Sequence, residues 1–187
     1  MTRRHLPALA LLLLCAVAAA GGSRISINKM GDDIDVNDAP FGASLRSMGG
    51  DIRVHRANGV VVAKTMGGNI AVDELAGNRL DAGSMGGNIR VRVVGPGRAR
   101  DIDLHTMGGS VELIVPRDFD ATFDVEIKHA DEKGEIVSDI PLSQTVSSQR
   151  TWFDGRHRRI VARKTTSAQP NHVEISTYGN RVVIRRE

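Results

Sequence analysis

Five methionines recur at nearly regular intervals along the chain, and each is followed by glycine. They are Met30, Met48, Met66, Met85 and Met107, at spacings of 18, 18, 19 and 22 residues. Thioether sulfurs held in register could bind a soft metal ion such as Cu(I). We favour the alternative that methionine is a flexible apolar filler at a corner of the fold, since Tyr178 takes the same place in a later segment. This structural ladder is therefore expected to bind no metal and no cofactor.

A basic stretch near the C-terminus is the best candidate for ligand binding. Its cations follow Trp152 and Phe153 and are Arg156, Arg158, Arg159, Arg163 and Lys164. Guanidinium forks suit the phosphates or carboxylates of anionic glycans and lipid head groups. The alternative is a charged strand edge that prevents end-to-end stacking of molecules.

Acidic residues are spread over the chain and offer the one catalytic alternative. Polysaccharide lyases and hydrolases on repetitive β-scaffolds use paired carboxylates beneath long loops. The outward-facing candidates are Asp33, Asp35, Asp51, Asp81, Asp103 and Glu112. A solvated face explains them as well, because the turns are short and no loop encloses a sugar. The six histidines show no ligand spacing, so we expect no catalytic residues.

The position after each glycine pair could belong to a calcium-binding β-roll. It reads Asp51, Asn69, Asn88 and Ser110, whereas such a roll needs an aspartate in every turn and a nine-residue period. The change from Asp to Asn to Ser favours a ladder of hydrogen-bonded side chains beside a turn.

The residues that flank each methionine show which elements must position these side chains. Apolar residues stand three and five positions before each methionine, and four and six positions after it, as in Leu45, Ala43, Ile52 and Val54 around Met48. This alternation is typical of half-buried β-strands. Each repeat is therefore predicted to contain two short strands and two turns.

The glycine pairs are expected to form the turn between the two strands. They are Gly49, Gly50, Gly67, Gly68, Gly86, Gly87, Gly108 and Gly109. Glycine tolerates positive φ and close backbone approach, so valine at Gly67 or Gly86 should force the corner and destabilise the fold. A two-strand unit cannot bury its apolar face alone. Stacked units predict an all-β, single-stranded parallel β-solenoid (β-helix) of about 18–22 residues per coil, right-handed by default.

The repeats indicate one domain over residues 21–187. Regular coils occupy residues 25–115, a less regular part occupies 116–170, and a final coil around Tyr178 occupies 171–187. In the less regular part, Phe123–Ile136 resembles a degenerate coil and the segment from Arg159 a further strand. Pro141–Arg150 is predicted to be a surface loop.

Residues 1–20 have the features of a secretory signal peptide. Arg3 and Arg4 precede an apolar stretch, Leu6–Val17, which small residues follow. The stretch is short for a membrane span, which needs about 20 apolar residues. A lipoprotein is a second alternative, because Cys15 follows Leu12-Leu13-Leu14, but lipidation favours a small residue before the cysteine. Without the signal the chain has no cysteine, and no later segment could span a membrane.

Charge is unevenly distributed along the chain. Residues 21–144 carry 14 basic and 19 acidic side chains, whereas residues 145–187 carry 9 basic and 3 acidic ones. An exported protein with an acidic body is not expected to bind nucleic acid.

The recurring unit Ser/Thr-x-Gly-x-Asp/Asn-Ile-x-Val resembles the DUF4097 family of bacterial exported β-strand repeat proteins, often labelled adhesins. The resemblance covers Ile25–Ile184 and includes Val111–Pro116 followed by Asp120–Val125, which is similar to the run after that family's central repeats. The methionines depart from the family pattern, which more often has a small residue there. The resemblance implies an exported β-repeat protein with an adhesive role.

The sequence therefore predicts a non-catalytic, exported β-solenoid that acts as an adhesin or as a binding or structural module of the cell envelope. A carbohydrate-active enzyme on the same scaffold is the alternative. The expected partners are an envelope glycan, a lipid head group, an envelope protein or further copies of the chain. The periplasm is the favoured location, with the cell surface or the medium as alternatives.

Overall fold

The computed structural model describes residues 22–95, 100–130, 134–151, 155–165, 171–179 and 181–187. At residues 149–151 and 155–157 it describes the backbone alone. The proposed signal peptide, Trp152 and Phe153 lie outside the described residues. Every regular element in the described part is a strand, so the predicted all-β class is confirmed.

Sixteen strands follow one another in the described residues. They are β1 (Ile25–Lys29), β2 (Ile34–Ala39), β3 (Ala43–Ser47), β4 (Ile52–Ala57), β5 (Val60–Thr65), β6 (Ile70–Leu75), β7 (Arg79–Ser84), β8 (Ile89–Val93), β9 (Asp101–Thr106), β10 (Val111–Val115), β11 (Ala121–Ala130), β12 (Glu135–Ser138), β13 (Ser143–Thr151), β14 (Gly155–Lys164), β15 (Asn171–Thr177) and β16 (Arg181–Arg186).

Strands β1–β12 alternate between two sheets as the repeat predicts, whereas β13, β14 and β15 all lie in the first sheet. The first sheet has the order β1-β3-β5-β7-β9-β15-β11-β14-β13, and the second has the order β12-β16-β10-β8-β6-β4-β2. Neighbours in the regular part are parallel and pair equivalent residues, as Leu45 does with Ala63 in the first sheet and Val54 with Val72 in the second. Inward residues of both sheets form one hydrophobic cluster.

The last repeat of the chain does not lie at the end of the stack. Strands β15 and β16 lie between β9 and β10 on one side and β11 and β12 on the other. Ile175 pairs with Leu104 on β9 and with Val125 on β11. All three side chains are fully buried. After β10 the chain forms β11–β14, and its last two strands then pair between the earlier and the later ones: β15 lies between β9 and β11, and β16 between β10 and β12.

The segment from residue 143 to residue 151 is a strand, so the predicted surface loop over Pro141–Arg150 is wrong for most of its length. Strand β13 pairs antiparallel with β14, and β14 pairs antiparallel with β11. The prediction of a purely parallel arrangement is therefore wrong at this edge. The sequence of β13 is mostly polar and shows no apolar alternation, so the pattern does not predict a strand there. An edge strand held by backbone hydrogen bonds does not need such an alternating apolar face.

Candidate functional site

The corner before each glycine pair contains a buried hydroxyl that joins two successive repeats. Thr106 Oγ1 donates to the Gly87 carbonyl oxygen at 2.8 Å and accepts a hydrogen bond from Gly109 N at 3.1 Å. Each member of this hydroxyl ladder donates to a carbonyl of the neighbouring repeat and accepts from a glycine N–H of its own turn; the members are Ser47, Thr65, Ser84, Thr106 and Thr177. Because the hydroxyl turns inward, the methionine that follows it turns outward.

Only the second glycine of each pair is required by packing. A Cβ at Gly68 would overlap the Gly50 carbonyl and lie 2.7 Å from Asp51 N, whereas at Gly67 the nearest atom would be 3.7 Å away. Gly50, Gly87 and Gly109 repeat the first case, and Gly49, Gly86 and Gly108 the second. Positive φ occurs in the described residues only at Gly42 and Gly95. The close backbone approach expected of the glycine pair therefore lies at its second member, and at Gly67 or Gly86 a Cβ would make only ordinary contacts.

The methionines form an exposed row along one corner of the stack. Met48, Met66, Met85 and Met107 are 50–54% exposed, Met30 is 82% exposed and Tyr178 40%. A side chain that only filled a gap in the core would be buried, so the filler interpretation does not account for this row. The alternation of the sequence predicts this exposure. The hydroxyl residue lies on the same inward face as the apolar residues two and four positions before it, so the methionine that follows must face outward.

A groove of about 690 Å³ runs beside this row on the outer face of the first sheet. The methionine wall is formed by Met48, Met66, Met85, Met107 and Tyr178. The opposite wall is formed by the residues two positions earlier, Arg46, Lys64, Gly83, His105 and Ser176, which pair strand to strand. Asn28 and Lys128 complete the ends, and we call the whole the methionine groove.

Cations but no acids line the methionine groove in the described part of the chain. Lys64 is bonded to Asp81, and His105 Nδ1 lies 3.5 Å from Asp103 Oδ1. Lys128 Nζ lies 5.3 Å from the ring centroid of Tyr178. Neither Arg46 nor Lys128 has a carboxylate within ion-pair distance among the described residues. The groove therefore combines an apolar wall with uncompensated positive charge.

One cluster near the groove has the residue types of a metal site. Ligand atoms of Asp81, Asp103 and His105 all lie within 4.8 Å of one another. Two carboxylates and an imidazole could hold a divalent cation. The Lys64 ammonium already compensates Asp81, so a metal ion would have to displace that ion pair.

The predicted anionic-ligand patch is paired with acids of the neighbouring strand. Lys164 Nζ donates to Asp120 at 2.8 Å, Arg159 Nε to Glu126 at 2.6 Å, and Arg163 Nε to Asp124 at 3.2 Å. Arg158 lies on the same strand, and the side chain of Arg156 lies outside the described residues. Strand β14 is covered by β13, so it is not the sheet edge that the edge-protection alternative assumed.

The hydrogen-bonded side-chain ladder after the glycines is present as predicted. Asp51 Oδ1 accepts from Asn69 N at 2.7 Å and Nδ2 at 3.2 Å, and Asn69 Oδ1 accepts the same pair from Asn88. At the two ends of the row, Asp33 Oδ1 accepts from Asp51 N and Asn88 Oδ1 accepts from Ser110 N. Asn69 and Asn88 thus accept from the next repeat and also donate their Nδ2 to the preceding one, which an aspartate could not do.

The other outward acids lie in exposed cross-strand ion pairs. Glu112 Oε2 lies 3.5 Å from Arg90 Nε, its Oε1 lies 3.6 Å from Arg185 Nη1, and Asp35 lies 3.2 Å from His55. Such pairs on an open sheet are typical of a solvated face.

Arg100 is a buried cation outside the groove. Its Nη2 donates to the carbonyl oxygens of Val94 at 2.8 Å and Gly95 at 3.3 Å. Burial lowers the pKa of its guanidinium. It links the β8 end to β9 and has a structural role.

Comparison of the chain with protein-family models, with curated proteins and with solved structures found no match. The resemblance to the DUF4097 family therefore stays a prediction from the motif. Among the described residues, no helix has the length and apolarity needed to cross a membrane.

Proposed function

We propose that the chain is a non-catalytic, exported β-solenoid that serves as a binding or structural module of the cell envelope. The solenoid assignment is supported by the alternation of β1–β12 between two sheets and by in-register pairing of equivalent residues. We propose right-handed coils, because parallel crossovers are right-handed in nearly all proteins. Export is proposed from the features of residues 1–20.

The observation that carries the binding role is the row of half-exposed methionines beside the groove. Exposed large apolar side chains in a contiguous row are uncommon on a soluble surface and mark interaction sites. Methionine adapts its shape to different ligands, which makes it frequent at binding surfaces. We propose the methionine groove as the binding surface rather than the patch on β14, because Arg159 and Arg163 of that patch are paired with acids of β11 and Lys164 with Asp120 just before it.

A carbohydrate-active enzyme is less well supported by the same geometry. Glycoside hydrolysis needs a general acid and a second carboxylate on either side of the scissile bond. The described lining of the methionine groove contains no carboxylate. The nearest acids, Asp81 and Asp103, lie beside Lys64 and His105 instead.

Co-sedimentation of the purified chain with isolated cell-envelope fractions tests the binding role. We expect saturable binding to one fraction and a marked loss when Met66 and Met85 are both replaced by serine. Val146→Ser is the matched control, because Val146 is 50% exposed on β13, away from the groove. Absence of binding to every fraction would contradict the proposal, and release of reducing sugars from a fraction would favour the enzyme.

A further inference from the structure

We propose that the methionine groove binds a single acyl chain that carries an acidic head group. The inference rests on the proposed envelope-binding role and names the ligand class of that site. It is carried by three properties of the groove: the shape of its apolar wall, the lack of free hydrogen-bonding groups in its floor, and the sign of its charge.

The apolar wall is linear and long. Met48, Met66, Met85, Met107 and Tyr178 follow one another on neighbouring strands, and neighbouring strands lie about 4.8 Å apart. The row therefore extends for about 19 Å. A volume of about 690 Å³ is that of a small-molecule site. An extended hydrocarbon chain fits a row of unbranched, adaptable thioethers.

The floor of the groove has few groups left to bind a polar ligand. The hydroxyls of Thr65, Ser84 and Thr106 already donate to glycine carbonyls of the preceding repeat. The backbone of the flanking strands is paired within the sheet. A peptide backbone or a sugar lying on this floor would therefore lose water there without gaining hydrogen bonds from the floor. A hydrocarbon chain makes no such demand.

The charge of the groove selects the head group. Arg46 lies toward one end and Lys128 at the other, and neither has a carboxylate within ion-pair distance in the described part of the chain. A carboxylate or phosphate at either end gains a charge-assisted hydrogen bond. The same cations disfavour a metal ion bound by the thioethers, because like charges repel in a site partly shielded from water.

Binding of dodecanoate, followed by isothermal titration calorimetry below its micelle concentration, tests the proposal. We expect saturable binding of one dodecanoate per chain. Butanoate, which has the head group without the long chain, should not bind at the same concentrations. Dodecyltrimethylammonium, which has the chain with a cationic head group, should bind at least about tenfold more weakly. Equal affinity for both long-chain probes would overturn the charge argument, and binding of butanoate would overturn the role of the wall.

Variants locate the site. Met66→Ser with Met85→Ser should weaken dodecanoate binding by about tenfold or more, whereas Met66→Leu with Met85→Leu should retain it. Loss in the leucine pair would overturn the proposal in favour of a role for sulfur. Arg46→Gln and Lys128→Gln should each weaken binding, and Arg185→Gln, which is 62% exposed on β16, should not. Unchanged thermal unfolding shows that each variant is folded.

Two further outcomes separate this inference from the proposed function. If Arg159→Gln with Arg163→Gln abolishes dodecanoate binding while the groove variants retain it, the patch on β14 is the site and the groove assignment is wrong. If envelope co-sedimentation persists without any dodecanoate binding, the acyl ligand is wrong and the envelope role stands. Failure of both experiments overturns both.

Discussion

At the residue scale, the buried hydroxyl before each methionine determines the geometry of the corner. Its donor and acceptor functions are both used, the first toward the preceding repeat and the second within its own turn. The hydrogen-bonding groups of the hydroxyl are therefore satisfied inside the corner, and the methionine that follows it faces solvent. The Ser/Thr-Met-Gly-Gly sequence is thus one structural unit, in which hydroxyl and second glycine hold the turn and methionine is left for binding.

Replacing Thr106 by valine should destabilise the fold although the two side chains have nearly the same shape. The Gly87 carbonyl and Gly109 N–H would lose their buried partner, and an unsatisfied buried group costs about 1–3 kcal/mol. Urea unfolding measures the difference. Thr145→Val, at an exposed position of β13, is the control. Equal stability of Thr106→Val and the wild type would mean that the hydroxyl ladder is not needed.

The two glycines of one turn should differ sharply in their response to alanine. Gly68→Ala must push its Cβ into the Gly50 carbonyl and should lower the midpoint of thermal unfolding by several degrees or prevent folding. Gly67→Ala meets no atom closer than 3.7 Å and should change the free energy of unfolding by no more than about 0.5 kcal/mol. A destabilised Gly67→Ala with a tolerated Gly68→Ala would reverse the assignment of the close contact.

At the element scale, the returning repeat holds the less regular part of the chain in place. Strands β15 and β16 supply the only parallel partners of β11 and β12 in the described residues. Val182 and Ile136 pair across one of these junctions, and both are buried. Strands β11 and β12 therefore depend on the end of the chain for their parallel pairing.

A variant that lacks residues 171–187 should keep the first repeats and lose the later ones. Limited proteolysis followed by mass spectrometry should yield a resistant core that ends near residue 115, because β9 and β10 would become the edge of the stack. Resistance that extends to residue 165 would show instead that β11 and β12 dock directly onto β9 and β10, and that the inserted position of β15 and β16 is dispensable.

The sequence predicts individual strands much better than their partners. Period-two alternation is local, so β1–β10 and the pair β15–β16 were found from it. Partner choice is not local, because the repeat around Ile175 has the same pattern as every other repeat and fits any gap in the stack. Strand β13 was missed because its polar residues carry no alternation. For the site, the sequence shows the methionine row but does not directly show that its side chains are exposed. That exposure follows from the inward position of the hydroxyl residue before each methionine, which the filler interpretation does not take into account.

At the scale of the whole molecule, the stack has two unlike ends. One end presents β1 and β2, where Ile25 and Ile27 are only partly buried. The other end presents β12 in the second sheet and the antiparallel pair β14–β13 in the first. In a stack of repeats each unit is stabilised by its neighbours, so terminal units are supported on one side alone.

Hydrogen exchange followed by mass spectrometry should therefore show protection that falls from the middle of the stack to both ends. We expect the slowest exchange in β5–β10 and in β15 and β16, although the last two lie at the end of the sequence, and the fastest in β1, β2 and β13. The slow exchange of β15 and β16 is the sharpest part of this expectation, because fraying would otherwise be fastest at the chain terminus. Rapid exchange there would contradict the stacking order, and uniform protection would contradict the proposed solenoid.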